Sequence, residues 1–212
     1  MKKIAAILPL SLFVCFMLFS CKEKKSNNIT NRLQPPVKTK KDSTSPVTNA
    51  GRPPIINIVD TIAPKKLILF VSDSAATSER ISGKLSLIFK QKLGEYIKKQ
   101  QLLIDGYPMV WYKTNKAPFY FEAGIPITKK PVKLPKGIMV KNIGGDSAII
   151  AHYYGPYSKT NMAYDALTEW AKDNKKKKKG NPYEVYVTDP IGTDGKPLDP
   201  YKVQTDIVFP RN

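Results

Sequence analysis

The sequence predicts an α+β domain in which a strand–helix–strand–strand unit occurs twice. The strands of both units are expected to form one antiparallel sheet, with both helices on one face. The first observation behind this prediction is an internal repeat, because Gly106–Tyr112 and Gly180–Tyr186 share their Gly, Pro and final Tyr. The second is that strand-like and helix-like apolar patterns surround both copies in the same order. The third is a hydrophobic content of 42%, which is enough for a sizeable core.

The first unit spans about residues 55–127. Apolar runs predict strands at Pro64–Val71 and Phe119–Ile127, on either side of a helix that begins after Thr77 or Ser78. The apolar residues of this helix recur at helical spacing: Ile81, Leu85, Ile88, Phe89, Leu93, Tyr96 and Ile97.

The second unit spans about residues 136–210 and repeats this arrangement. Its strands are predicted at Asp146–Tyr154 and Lys202–Phe209, and its helix follows Ser158 or Thr160. The apolar stripe of that helix contains Ala163, Ala166, Leu167 and Trp170. One unit does not close a core by itself, so we expect the two to pack side by side. A ligand cleft is then expected at the pseudo-twofold seam, on the face of the sheet opposite the helices.

The N-terminus has the pattern of an export signal. Residues 1–20 combine a basic start with an apolar run, and Leu18-Phe19-Ser20-Cys21 resembles a bacterial lipobox. We therefore expect Cys21 to carry acyl chains such as palmitate and to anchor the protein to a membrane of the bacterial cell envelope, facing the periplasm or the surface. An uncleaved membrane anchor is the alternative. Residues 21–54 are polar and Pro-rich, which predicts a flexible basic tether ahead of a domain at residues 55–212.

The composition excludes several kinds of site. The 212 residues include one His and two Cys, which rules out a His-rich metal centre and a four-cysteine zinc site. We expect no metal and no cofactor. A Ser-His-Asp triad would depend on His152, which no nucleophile motif accompanies, so we predict that His152 is structural or exposed.

The charge is strongly basic, with 35 Lys+Arg against 17 Asp+Glu and a net charge of +18. Nucleic acid is the usual partner of such a chain. We do not expect it here, because an exported lipoprotein does not meet DNA and no helix-turn-helix precedes the domain. The five consecutive lysines Lys175–Lys179 are either a solvated loop or a contact with anionic lipid headgroups or acidic polymers.

Four segments, in order, resemble the gyrase-inhibitor-like (GyrI-like) effector-binding domain: Ala123–Ile127, Tyr154–Tyr157, Gly180–Pro190 and Thr205–Pro210. The resemblance implies the duplicated fold and the binding of small, often cationic and aromatic, compounds. It also implies that an embedded Glu, here Glu184, lies at the floor of an aromatic-walled cleft. The first unit has Val110 at the equivalent position. Some members of the family resemble hydrolases that open strained rings.

The site prediction centres on Glu184. Strand alternation places it on the same face as Tyr186, and Tyr112 is the symmetry mate of Tyr186. We therefore predict ligand binding by these three residues, with Tyr153 and Tyr120 as further candidates. Taken without the resemblance, a lone Glu on a strand is more often a solvated charge.

Three other aromatic residues are predicted to be structural. We expect Trp111 to pack beneath the helices, because it alternates away from Tyr112, and Trp170 to pack in the core. Tyr157 is expected to fix the turn that enters the second helix.

Three functions remain open at this point. The first is a binding module that captures a hydrophobic or aromatic, cationic compound. The second is a hydrolase in which Glu184 is the acid–base group. The third is an envelope interaction protein whose cleft is vestigial.

Overall fold

The structure, a computed structural model, describes residues 51–212. The predicted signal peptide, Cys21 and the predicted tether up to residue 50 lie outside the described residues. The strands are β1 Ile55–Ile62, β2 Lys66–Ala75, β3 Met109–Tyr112, β4 Phe119–Ile127, β5 Met139–Ile143, β6 Ser147–Tyr154, β7 Tyr183–Tyr186 and β8 Gln204–Pro210. They form one antiparallel sheet in the order β1-β6-β8-β7-β3-β4-β2-β5.

Two helical segments accompany the sheet. The first consists of α1 Glu79–Ser86, a π-helical segment Leu87–Leu93 and α2 Gly94–Lys99. The second is α3 Asn161–Asp173, which follows a 3₁₀ turn at Tyr157–Lys159. A further 3₁₀ turn at Pro200–Lys202 precedes β8. None of the helices within residues 51–212 is long and apolar enough to cross a membrane.

The duplicated architecture is confirmed, and the structure adds two strands that the sequence pattern did not predict. These are the edge strands β1, which pairs with β6, and β5, which pairs with β2. In the middle of the sheet, β3 and β7 pair through Met109↔Val185 and Val110↔Glu184. The two equivalent residues of the repeat, Val110 and Glu184, are therefore direct partners across the pseudo-twofold seam.

Both helices cover the same face of the sheet. Val110 packs in one buried cluster with Leu85, Ile88 and other residues of the first helical segment. In the other half, Ile207 packs with Leu167 and other residues of α3. Glu184 lies between Val110 and Ile207 in the register, so it points toward the helices.

The predicted position of the cleft, on the face opposite the helices, is therefore wrong for Glu184. The prediction that Trp111 packs beneath the helices is wrong as well, because Trp111 is buried with Tyr183 and Val208 on the helix-free face. Alternation separates the two faces of a strand, but both faces of these strands are apolar, so alternation alone does not show which one the helices cover.

The helix-free face is closed at one end by two chain connections. Between β1 and β2, the backbone N–H of Ala63 donates to Asp146 O over 2.9 Å. Between β5 and β6, Gly145 N–H donates to Ala63 O over 2.7 Å. Gly144 is required at this crossing, because its φ is +75° and a Cβ there would lie 2.0 Å from Pro64 O.

Residues 51–212 hold every described strand and helix, and they lie in one compact unit. The three buried clusters find all of their members within this segment. The segment therefore contains a complete core, and we expect residues 51–212 to fold as a separate domain.

Candidate functional site

The site is built around a buried acid. Glu184 is only 2% exposed, and its carboxylate accepts three hydrogen bonds from tyrosine hydroxyls. Tyr164 donates to Oε1 over 2.9 Å, while Tyr157 and Tyr186 donate to Oε2 over 2.7 and 3.0 Å. In the part of the chain that the structure describes, no Lys or Arg forms an ion pair with this carboxylate. Within residues 51–212, its side-chain hydrogen-bond donors are therefore all tyrosine hydroxyls.

Each donor comes from a different local structure. Tyr186 lies two residues along β7 from Glu184, on the same face, whereas Tyr164 projects from α3. Tyr157 begins the 3₁₀ turn that follows Gly155-Pro156. That turn is held by Tyr153, whose buried hydroxyl donates to Pro156 O over 2.6 Å. Tyr153 thus fixes the turn, which is the role predicted for Tyr157, and Tyr157 contacts the acid.

Aromatic groups from the first unit complete the enclosure. The Tyr112 hydroxyl lies 3.0 Å from the Tyr157 hydroxyl and 3.4 Å from that of Tyr186. Phe89, in the π-helical segment, packs edge-on to Tyr186 with ring centroids 6.4 Å apart. π-helical turns within α-helices are frequent at functional sites. We call Glu184, Tyr112, Tyr157, Tyr164, Tyr186 and Phe89 the aromatic box.

Burial dominates the electrostatics of the aromatic box. It raises the pKa of the Glu184 carboxyl above the usual 4.5, and the hydrogen bonds from Tyr157, Tyr164 and Tyr186 only partly offset it. Burial, together with the nearby Glu184 charge, also raises the pKa values of Tyr157, Tyr164 and Tyr186. These tyrosines therefore remain protonated, and they act as hydrogen-bond donors to the carboxylate.

The structure brings together three of the five residues that the sequence predicts for ligand binding, namely Glu184, Tyr112 and Tyr186. It does not bring the other two to the carboxylate. Tyr153 packs beneath α3 with its hydroxyl on the Pro156 turn. Tyr120 is 52% exposed and alternates with Phe121, so it lies on the helix-free face.

Sequence reasoning missed two members of the aromatic box, Tyr157 and Tyr164. Their spacing of seven residues is two helical turns, which was a usable signal that they share one face. Tyr164 flanks the apolar stripe of α3 rather than belonging to it, so helical periodicity does not single it out. Phe89 was identified only as a core residue of the first helix.

The remaining candidate groups have local partners. His152 Nδ1 lies 2.8 Å from Asp206 Oδ1, and Gln204 donates to the same oxygen over 2.8 Å. The lysine run also packs back on the domain, since Lys179 pairs with Asp146 over 3.3 Å and Lys178 lies 4.2 Å from the centre of the Phe209 ring. Within residues 51–212 there is no group of three or more His, Cys, Asp or Glu side chains placed to hold a metal ion.

The aromatic box is covered by Tyr157. This residue is 51% exposed, with its hydroxyl pointing inward to Glu184, so its ring forms the boundary between the carboxylate and solvent. A ligand that reaches Glu184 from that side must displace this ring.

Comparison with known proteins agrees with this architecture. The sequence profile of the GyrI-like small molecule binding domain matches residues 91–210. The crystal structure of the EcmrR C-terminal domain is similar with a TM-score of 0.62 and 20% identity, over 74% of this chain and 98% of that one. The cryo-EM structure of the EcmrR–DNA complex gives 0.59 and 19%, over 75% of this chain but only 57% of that one.

An uncharacterized conserved protein from Listeria innocua has a TM-score of 0.54 and 9% identity, over 73% of this chain and 92% of that one. No curated protein sequence matches the chain. At these identities the similar structures show a shared fold.

Proposed function

Because this chain belongs to the GyrI-like small-molecule binding domain family, we propose that it captures a hydrophobic, aromatic cation in the aromatic box. Glu184 supplies the negative charge, and Tyr112, Tyr157, Tyr164, Tyr186 and Phe89 supply the aromatic surface. The burial of a carboxylate that has no cationic partner among the described residues is the observation that carries this proposal.

An acid in this state favours a ligand of positive charge. A buried carboxylate is costly unless a cation neutralises it, and hydroxyl donors compensate only in part. Aromatic rings attract the same cations through their negative faces. A cationic aromatic ligand would therefore gain a charge contact and the burial of apolar area, whereas a neutral analogue would gain the burial alone.

Ligand entry requires a local opening. Tyr157 lies on a short 3₁₀ turn, and its ring is half exposed, so movement of this turn exposes Glu184 without unfolding the sheet. In the closed state the three hydroxyls keep the carboxylate hydrogen-bonded. A bound cation takes the place of the Tyr157 hydroxyl at Oε2.

Three probes of related shape and different charge test the proposal. They are tetraphenylphosphonium, tetraphenylborate and neutral triphenylphosphine oxide, each titrated into residues 51–212 by isothermal calorimetry and followed by thermal shift. We expect binding in the order cation, neutral compound, anion. A probe at about a hundred times its Kd should stabilise the domain by about 2.7 kcal/mol, which is readily measured.

The decisive variant is Glu184→Gln, which keeps the shape and removes the charge. It should weaken cation binding by about tenfold or more and leave the neutral probe unaffected. Glu169→Gln, at an exposed position on α3, is the matched control. Equal binding of phosphonium and borate, or equal effects of the two variants, would refute a charge-selective site. Absence of binding by all three probes would favour the envelope-interaction hypothesis instead.

The same carboxyl also supports a second candidate, hydrolysis of a strained small molecule with Glu184 as the acid–base group. A raised pKa and hydroxyl groups within 3.0 Å are what general acid–base chemistry needs. Styrene oxide, incubated with residues 51–212, is the test. Formation of phenylethanediol by the wild type but not by Glu184→Gln would support catalysis, and no diol above the uncatalysed rate would refute it.

We further propose that the domain is held at the bacterial envelope by a lipid on Cys21. The lipobox-like sequence after the apolar run supports this, and so does the basic tether of residues 21–54. Metabolic labelling of the full chain with an alkyne palmitate should mark the wild type and not Cys21→Ser. Label on both proteins, or on neither, would refute the anchor. The expected absence of a nucleic-acid partner stays a prediction, which a gel-shift assay at two salt concentrations tests.

A further inference from the structure

A cavity of about 260 Å³ lies on the helix-free face of the sheet, away from the aromatic box. Its lining includes Trp111 and Tyr183, whose rings pack at a centroid distance of 5.2 Å with an interplanar angle of 34°. Both side chains are only 6% exposed. Ala63, Gly144 and Pro210 add to the lining, so the crossing of the two connections forms part of this cavity.

The charges around this cavity differ from those around Glu184. Lys113 and Lys179 line it, together with one acid, Asp146. A third lysine, Lys141, places its Nζ 3.5 Å from the centre of the Trp111 ring. Lys141 also pairs with Glu122 over 2.6 Å, so its charge is compensated within the chain. It nevertheless occupies the position at which a cationic ligand would contact the Trp111 ring, so this cavity does not offer a ligand that cation–π contact.

The two lining lysines can exchange their ion-pair partners for a ligand. Lys113 and Lys179 pair with Glu122 over 3.2 Å and with Asp146 over 3.3 Å, and their side chains are 40% and 53% exposed. The Lys179–Asp146 pair is exposed on both sides and contributes little to stability, because water and salt screen it. Glu122 is only 19% exposed, but it keeps its second partner, Lys141, at 2.6 Å when Lys113 turns away. Exchanging a carboxylate of the chain for one on a ligand therefore has a low cost.

We propose that this cavity is a second binding site, which takes a one- or two-ring aromatic anion such as an aromatic carboxylate. Its rings contact Trp111 and Tyr183, and its acid group lies toward Lys113 and Lys179. The cavity volume is below the range of about 300–1,000 Å³ that is usual for ligand pockets, so we expect a ligand of one or two rings. The site is separate from the aromatic box and does not depend on Glu184.

Three naphthalene probes test the proposal on residues 51–212: 2-naphthoate, neutral 2-naphthamide and cationic naphthalen-2-ylmethylammonium. The chain has two Trp residues, so the indole N–H region of an ¹H–¹⁵N spectrum contains two signals, and Trp170→Phe assigns the remaining one to Trp111. We expect 2-naphthoate to shift the Trp111 signal in a saturable manner and to leave the Trp170 signal in place. The amide should bind more weakly and the ammonium least.

Single-charge variants complete the test. Lys113→Gln and Lys179→Gln should each weaken 2-naphthoate binding about fivefold, while Lys196→Gln, at a lysine whose side chain is 82% exposed and does not line the cavity, should not. Glu184→Gln should leave naphthoate binding unchanged. The proposal is overturned if all three probes shift Trp111 equally, if Lys196→Gln matches the other lysine variants, or if Glu184→Gln abolishes binding.

Discussion

Removing single hydroxyls around Glu184 should destabilise the domain by different amounts, because its two carboxylate oxygens accept different numbers of hydrogen bonds. Among the described residues, Oε1 accepts from Tyr164 alone, whereas Oε2 accepts from Tyr157 and Tyr186. A hydrogen bond to a charged group contributes about 1.5–3 kcal/mol. Tyr164→Phe leaves Oε1 buried without a donor and should cost about 2 kcal/mol. Tyr186→Phe leaves Oε2 with the Tyr157 hydroxyl and should cost about 1 kcal/mol or less.

The cost of Tyr164→Phe should also depend on pH in a definite direction. Burial raises the pKa of Glu184 in the folded state, and the tyrosine hydroxyls lower it by stabilising the charged form. Loss of the Tyr164 hydroxyl therefore raises that pKa further. Above the folded-state pKa the carboxylate is charged and feels the full loss, whereas below it the protonated carboxyl feels less. The variant should be more destabilised at pH 8 than at pH 5.

Urea unfolding of residues 51–212 at both pH values measures these differences, and a cost of 2 kcal/mol also appears as a fall in Tm of about 4–8 °C at pH 8. Tyr154→Phe is the control, since its hydroxyl donates to a neutral acceptor, Gln204 Oε1, over 2.8 Å. Its cost should not change with pH. Equal costs for Tyr164→Phe and Tyr186→Phe, or a Tyr164→Phe cost that does not vary with pH, would refute the charged hydrogen-bond network.

Three further predictions follow from the same structure. The raised folded-state pKa of Glu184 means that its contribution to stability is present at low pH and is lost as the pH rises through that pKa. Glu184→Gln should therefore raise Tm more at pH 8 than at pH 5 in calorimetric scans; an equal effect at both pH values would contradict the raised pKa. Binding of tetraphenylphosphonium should tighten as the pH rises through the pKa of Glu184, and below that pKa binding should release a proton. Calorimetric titrations in two buffers of different ionisation enthalpy would detect the released proton. No proton release would contradict the contact with Glu184. Gly144→Ala should lower the free energy of unfolding in urea by more than about 2 kcal/mol, because the added Cβ would lie 2.0 Å from Pro64 O. Gly195→Ala, where φ is similar and the space around the Cβ is open, should lower it by about 1 kcal/mol. Equal costs would contradict the close approach at Gly144.

The sequence predicted those parts of the fold that rest on local pattern. The repeat predicted two equivalent strands at the centre of the sheet, and the structure makes Val110 and Glu184 partners there. Alternation placed Glu184 and Tyr186 on one face because it depends only on neighbouring residues. The edge strands β1 and β5 were missed for different reasons. β5 is only five residues long, whereas β1 has five Ile or Val among its eight residues, a usable strand signal that lies outside the strand–helix–strand–strand pattern read from the repeat.

The parts of the site that were missed depend on contacts distant in sequence. Tyr157 and Tyr164 reach Glu184 across 27 and 20 residues, through a turn and a helix whose orientation no local pattern specifies. The choice of face for the cleft failed for the same reason. Trp111 and Tyr183 are as bulky and buried as the residues beneath the helices, so composition does not distinguish the two faces.

The four residues of β7 explain how one sheet can offer two chemically opposite surfaces. Glu184 and Tyr186 face the helices, where the acid has no cationic partner among the described residues, whereas Tyr183 faces the other side, where lysines outnumber acids along the cavity. Successive side chains of a strand point to opposite faces, so a single short strand assigns a negative group to one face and an aromatic group near lysines to the other. A charged ligand pays a desolvation cost on binding, and only a group of opposite charge on the protein offsets that cost. The aromatic box should therefore favour cations and the second cavity anions, and the two sites have no side chain in common.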